Sequence, residues 1–308
     1  MRSPVRPSFA ALAFLGALTA GVVGCSPSGD GDNGDGGGKE TGLEEALAAV
    51  PDSAADVAIL YVDAATTRDL VARDKKQFSG LWGYGIPELS GHAADPRKEW
   101  GFDESDVATS IVVGSYNARM TGEFDTAALT KALEKKGYGP SDVDGGTRFT
   151  KSGDDSTFQF SDSIRVSVHD KDGAGLGLDD PEKSLAGDRA YAAVADCLGD
   201  VYYASFYGEV EREGVVLLAL GARLGADGTS TETICTVNAS EKAARSTAAK
   251  LRGKAKDGET YAGSKVMIGG GQTPTVSMTW KNSSEGRLRP GDNNKTLDLP
   301  GLLLFGRG

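Results

Sequence analysis

"GEFDTAALTKALEKKGYG" (residues 122–139) decides the fold class, because it holds a whole helix with both of its ends. Asp125 stands where an N-cap carboxylate takes the first free amide donors, and Phe124 and Leu129 are spaced as a hydrophobic staple. Leu129 and Leu133 form the buried stripe, while Lys131, Lys135 and Lys136 gather near the negative helix end. Gly137 takes the left-handed position past the last turn, and Tyr138 folds back on Leu133. Strands lie on both sides. "DVATSIVVGSY" (106–116) precedes the helix, and "TRFTK" (147–151) and "STFQFSDSIRVSVHD" (156–170) follow it. In the last of these Phe158, Phe160, Ile164, Val166 and Val168 alternate around a Ser-Asp turn, the signature of a hairpin. Arg165 and Ser167 share the face of His169, which reads as a solvated edge.

A comparable order recurs downstream. "DRAYAAVADCLG" (188–199) reads as a helix between Asp188 and Gly199. Strands follow in "VYYASFYGEV" (201–210), "VVLLALGARL" (215–224) and "STETICTVNA" (230–239). A helix from Ser240 ends by Gly253, and "GSKVMIGG" and "TPTVSMTWK" close the pattern as strands. Strand, helix, strand, strand thus appears at about 106–170 and again at about 230–281. Upstream, Thr41 and Glu44 form a capping box ahead of Leu43, Ala46, Leu47 and Val50, and "ADVAILYVDA" (55–64) reads as a strand before a short helix near Thr67–Asp74. The expected class is α+β, antiparallel sheets with a few packed helices. It is either two similar halves, 41–183 and 184–308, or one domain. Leu302 to Phe305 make a last strand or pack on the core.

Residues 1–24 carry the marks of an export signal: Arg2 and Arg6 at the start, then an uncharged apolar run from Phe9 to Val23. That run falls short of the roughly 20 residues that span a bilayer. It ends in Val22-Val23-Gly24-Cys25, which resembles the lipobox of bacterial membrane lipoproteins, with Val22 where Leu is commoner. The resemblance implies cleavage before Cys25, thioether lipidation of Cys25 with palmitate-type chains, and attachment to the outer face of the cell membrane. Two or more acyl chains hold such an attachment stably. The competing reading is an ordinary secretory peptide with an incidental cysteine. Residues 25–40 are rich in Gly and Asp and carry no aliphatic side chain, a composition that makes a flexible tether. Asp30, Asp32 and Asp35 there lack the bidentate Glu of a calcium loop and read as solubilising.

The chain is acidic, 44 Asp and Glu against 33 Lys and Arg, and loss of Arg2 and Arg6 makes it more so. Such a surface repels phosphate backbones, so nucleic acid is not an expected partner. In an exported chain the two remaining cysteines, Cys197 and Cys235, are expected to pair, a bridge worth roughly 3–4 kcal/mol. A free buried pair or a metal site are the alternatives, and a metal lacks further ligands near them. No metal or other cofactor is expected.

No catalytic signature emerges. The chain has two histidines, His92 in a Gly/Pro-rich loop and His169 at a strand end, and no Gly-x-Ser-x-Gly elbow. "KSG" (151–153) lacks the Ser-x-x-Lys that would give it meaning. "DKDGAGLGLDD" (170–180) offers Asp170, Asp172, Asp179 and Asp180, read as a Gly-rich loop ahead of a calcium site, and its glycines do not follow a strand and open a helix. The segment 78–106 stands out more. Trp82, Tyr84, Trp100 and Phe102 each adjoin glycine there, and they either form a recognition surface or plug the end of the core beneath a long loop.

"AVPDSAADVAILYVD", "GEFDTAALTKALEKKGY" and "SLAGDRAYAAVADCLGD" (184–200) resemble exported actinobacterial envelope proteins of a family of unknown function, over about 46–240. That resemblance implies an envelope protein and adds no chemistry. The function expected is a lipid-anchored, non-enzymatic surface protein whose partners are the membrane, through its lipid, and an envelope protein or small-molecule ligand. A solute-binding lipoprotein of an uptake system and an acid-based hydrolase are the alternatives.

Overall fold

The computed structural model describes residues 41–90, 95–225, 228–257, 261–281 and 298–305. Cys25, the signal segment, the tether and His92 lie outside them.

The chain enters on α1 (Gly42–Ala48), closed by the capping box: Thr41 Oγ1 accepts from Glu44 N at 3.3 Å, and the Glu44 carboxylate accepts from Thr41 N at 2.7 Å. Strand β1 (Ile59–Asp63) follows, and then four short helices, α2 (Ala64–Arg73), α3 (Lys75–Phe78), α4 (Pro87–Ser90) and α5 (Pro96–Trp100). The hairpin β2 (Val107–Val113) and β3 (Asn117–Gly122) leads to α6 (Thr126–Lys135). Strands β4 (Gly139–Val143), β5 (Gly146–Lys151), β6 (Asp154–Phe160) and β7 (Ile164–Val168) complete the first half. The second half runs α7 (Arg189–Leu198), β8 (Tyr203–Arg212), β9 (Val215–Leu224), β10 (Ser230–Asn238), α8 (Glu241–Asp257), β11 (Lys265–Gly269), β12 (Thr275–Lys281) and α9 (Asp298–Phe305).

The class is α+β. Among the described residues the strands form a single antiparallel sheet of twelve, in the order β11-β12-β10-β9-β8-β1-β2-β3-β7-β6-β5-β4. That order has an internal symmetry. Each half is a helix, a three-strand meander, a crossover helix and a further pair of strands, of which the last returns to the third strand of the meander. In the first half this is β7 on β3, in the second β12 on β10. The halves meet where β1 pairs with β8, Ile59 opposite Phe206 and Val62 opposite Tyr203, so the sheet passes unbroken between them. The first half adds α2–α5 after its first strand and the hairpin β4–β5 at its edge.

Side chains alternate across the strands and sort the core onto two faces. On one face α1 and α7 lie over the centre: Leu43, Leu47, Tyr191, Val194 and Leu198 pack with Ile59, Tyr61, Ile111, Phe206 and Ala219. On the other, α6 covers one end with Leu129 and Leu133 against Phe149, Phe158 and Phe160. Leu70, Phe78 and Leu81 cover Val62 and Tyr203 in the middle, and α8 and α9 cover Leu218, Ile234 and Met278 at the far end. Each such Leu or Phe contributes about 1.5–3 kcal/mol by leaving water. A disulfide joins Cys197 on α7 to the fully buried Cys235 on β10 across 6.2 Å between Cα atoms.

The local signals of α6 and α7 hold. Asp125 accepts from Ala127 N and Ala128 N at 3.0 Å, and Asp188 from Ala190 N at 2.8 Å and Tyr191 N at 3.1 Å. Gly137 sits at φ 87° beyond α6.

Several expectations need correction. The hairpin partner β3 escapes the alternation rule because Asn117 and Arg119, polar yet buried, occupy one of its faces. It is β3, not β2, that corresponds to β10. Strand β4 escapes because it is a polar edge strand opening on Gly139-Pro140. Arg165 and Ser167 are not on a solvated edge: β7 is an interior strand between β3 and β6, and both side chains are buried. The tail is a helix rather than a strand; it packs Leu299, Leu303 and Leu304 on the core, with Pro300 tolerated in its first turn. Helix α8 also passes through Gly253, where nothing crowds the backbone.

Candidate functional site

The insertion between β1 and β2 builds a groove on the sheet face opposite α1 and α7. Its helices are short, and three of the four, α2, α3 and α5, start on an aspartate. Asp63 caps α2 through Thr66 N at 2.8 Å, Asp74 caps α3 through Gln77 N at 3.0 Å, and Asp95 caps α5 through Lys98 N at 3.1 Å with Pro96 at its first position. Between α3 and α4 the chain turns at Gly83 and Gly85, φ 64° and 77°. A Cβ on Gly85 would meet Val62 Cγ2 at 2.5 Å, so the turn is pressed onto β1 and only glycine fits. Trp82 stands at the head of that turn.

Two polar groups, the buried Glu104 and the half-buried Arg68, fix the floor. Gly83 N donates to Glu104 Oε1 at 3.0 Å, and Arg68 Nη1 donates to the carbonyls of Glu104 and Val107. Burial pushes the Glu104 carboxyl above the ordinary carboxylate range, and the Gly83 amide and Arg68 charge oppose that rise. Arg97 ties the rim through Asp103 and Asp106. The result is an open groove of about 510 Å³ walled by Val71, Ala72, Pro96 and the indole of Trp82, which is 53% exposed.

The four aromatic residues that stood out in the sequence go to different places. Trp82 alone among them walls the groove. Tyr84 stacks on Tyr203 with ring centroids 5.9 Å apart, over the central strands. Trp100 is half-buried, tilted on Phe158 and covered by Lys136 Nζ 3.8 Å from its ring. Phe102 is fully buried, edge-on to Phe124 and beneath the Arg165 guanidinium at 4.5 Å. Its ring serves the core.

Arg165 forms a buried ion pair with Glu88 at 2.6 Å, a contact between strand β7 and helix α4 that periodicity gives no hint of. Burial alone would push the Glu88 carboxyl up; the Arg165 charge and hydrogen bond outweigh it and hold the group below its ordinary value.

The remaining candidates have structural duties. His169 Nδ1 is 3.1 Å from Ser156 Oγ, its ring lies edge-on to Phe158, and its amide donates to Asn117 Oδ1 at 2.7 Å. Asn117 is a hub the sequence reading missed: fully buried, it donates to Val113 O and Asp170 Oδ1 and so anchors the Asp/Gly loop. A Cβ on Gly173 would strike the Asn117 side chain at 2.5 Å, which explains one glycine of that loop. Asp180 at the loop's far end pairs with Arg119 at 2.7 Å. Among the described residues no three His, Cys, Asp or Glu side chains gather closely enough to hold a metal ion, and no helix is long and apolar enough to cross a membrane.

The fold and groove together define an α+β protein with an open, aromatic-walled surface site. No family model and no curated protein matches the chain. Among solved structures, one titled "Structure of crystal form I of TP0453" aligns at a TM-score of 0.42 with 10% identity, covering 77% of this chain and 93% of that one. A likeness so distant carries no argument about function.

Proposed function

We propose that the protein is an exported, lipid-anchored binding protein of the cell envelope, fixed to the outer face of the membrane through Cys25, and that the Trp82 groove is its recognition surface. The observation that carries the reading is Trp82 itself. A large aromatic ring left 53% exposed beside an apolar groove, on a frame made rigid by buried polar contacts, is the arrangement that anchors a partner. The lipobox at Val22–Cys25 and the actinobacterial resemblance supply the location. The non-enzymatic reading rests on the engagement of His169 and the acid residues in structural bonds. A solute-binding lipoprotein would need two lobes around a cleft; a continuous antiparallel sheet runs through both halves instead.

Two measurements on intact cells test this. Cys25→Ala moves the protein from the membrane fraction to the soluble one; a variant that stays membrane-bound sinks the anchor. A photo-crosslinking residue at position 82 captures a discrete product that the same residue at Tyr116, 61% exposed on the β2–β3 turn, does not. Equal labelling from both positions sinks the groove.

A further inference from the structure

The sheet ends in two edges that are treated differently. Strand β4, at one end, carries Pro140, which has no amide to offer, and the charged Asp142. Both are devices that keep foreign strands off. Strand β11, at the other end, reads Lys265-Val266-Met267-Ile268-Gly269 and has neither proline nor bulge. Met267 is 60% exposed and Ile268 43%. Its inner side is paired with β12 from Lys265 opposite Thr279 to Gly269 opposite Thr275. Every second amide and carbonyl of an edge strand faces outward, and a strand is the partner that satisfies such a row in register.

The geometry points to a second copy of this chain as that strand, with β11 pairing antiparallel to the partner's β11 about a two-fold axis at Met267. The sequence of β11 suits itself in this register. Met267 faces the partner's Met267, and Val266 faces the partner's Ile268, so the central positions are apolar on apolar. Lys265 faces the partner's Gly269, a long side chain opposite none. The two lysines lie four positions apart along the ladder, about 14 Å at about 3.4 Å per residue. That exceeds the screening length of about 8–10 Å, so no like charges confront each other. On the helix-covered face, a groove of about 270 Å³ lies between Ala244 and Arg245 of α8 and Ile268 of β11. The partner's Val266 comes to rest beside it. A ladder of five residues is short, and the interface is a weak, reversible one in the micromolar range.

Sedimentation equilibrium of the full chain tests the assignment, from about 1 to about 100 µM, where weak association is visible. The wild type shifts from monomer to dimer over that range. Met267→Lys sets two ammonium groups across the axis and weakens the dimer at least about tenfold, and Ile268→Lys does the same. Tyr116→Lys, far from β11, leaves it unchanged. Both edge side chains are exposed, so unaltered circular dichroism shows that the variants fold. A wild type that stays monomeric throughout overturns the assignment, whatever other strand the edge then takes. A dimer equally tight in Met267→Lys and Ile268→Lys overturns it as well.

Discussion

The two halves of the sheet share a topology and differ in what holds them. The second half is closed covalently, Cys197 to Cys235, under a helix whose stripe is apolar throughout. The first half has no such bridge among the described residues. At the corresponding depth it buries an ion pair, Arg165 with Glu88, between Phe102 and Phe158. The halves also differ after their first strand. In the second, β8 turns directly into β9 at Glu213-Gly214, whereas in the first, α2–α5 intervene and build the groove. The same architecture therefore tolerates either a tight turn or a helical insertion with a groove at one place. The half that carries the groove is also the half whose core depends on charge.

The largest effect is expected from breaking that charge pair. Arg165→Met leaves the Glu88 carboxylate buried and uncompensated and costs about 3–5 kcal/mol, read from the urea midpoint. Glu88→Leu with Arg165→Met recovers most of the loss, since well-packed apolar residues replace a buried pair at little cost. Acid has opposite effects on the two proteins. In the wild type the Glu88 carboxyl is held below its ordinary value, so its contribution is complete above that value and fades as pH falls through the lowered one. In Arg165→Met the two largest influences opposing burial are gone, so burial raises the carboxyl and the variant gains stability as pH falls. The gap between them must narrow on acidification; a constant gap would mean that the pair is not the cause.

Opening the disulfide comes next. Cys197→Ala with Cys235→Ala costs about 2–4 kcal/mol. Amide exchange should accelerate first in α7 and β10 while α6 stays protected, because the bridge constrains the second half alone. Uniform acceleration would show that the halves unfold as one unit. Below that lie the caps, which serve both halves alike: Asp125→Ala and Asp188→Ala each lower stability by about 1 kcal/mol in the same urea assay. The smallest effect is a gain. Glu213 holds φ 54° ahead of Gly214 at φ 78°, a turn with both central residues in the left-handed region. Glu213→Asn relieves that strain and stabilises by a few tenths to about 1 kcal/mol, less what little the Lys250 contact at 3.4 Å contributes.

What was legible in the residues was what is encoded locally. Asp125, Gly137 and Asp188 act through neighbours a few positions away, so the helices they end could be placed. Strand β9 also declared itself, being apolar on the faces it buries, and β10 and β12 did so through β-branched and apolar residues despite polar neighbours. The failures that touch the core share one cause, long-range burial of polar groups. Asn117 and Arg119 make β3 look like a loop, and Arg165 makes an interior face look wet, because their partners Asp170, Asp180 and Glu88 are distant in sequence. The groove divides in the same way. Trp82 could be picked out from its glycine-rich surroundings, but the floor formed by Arg68 and Glu104 depends on contacts more than twenty residues apart.

Helix α1 lies over the central strands on the face away from Trp82, and the described chain begins at its cap, Thr41. A pull applied at Thr41 therefore takes hold of the sheet near its midline. Tension along the chain passes through α1 into β1, a strand with a neighbour on either side, and is not drawn off a fraying end. The Trp82 groove lies on the opposite face of the sheet, and β11 at its far end.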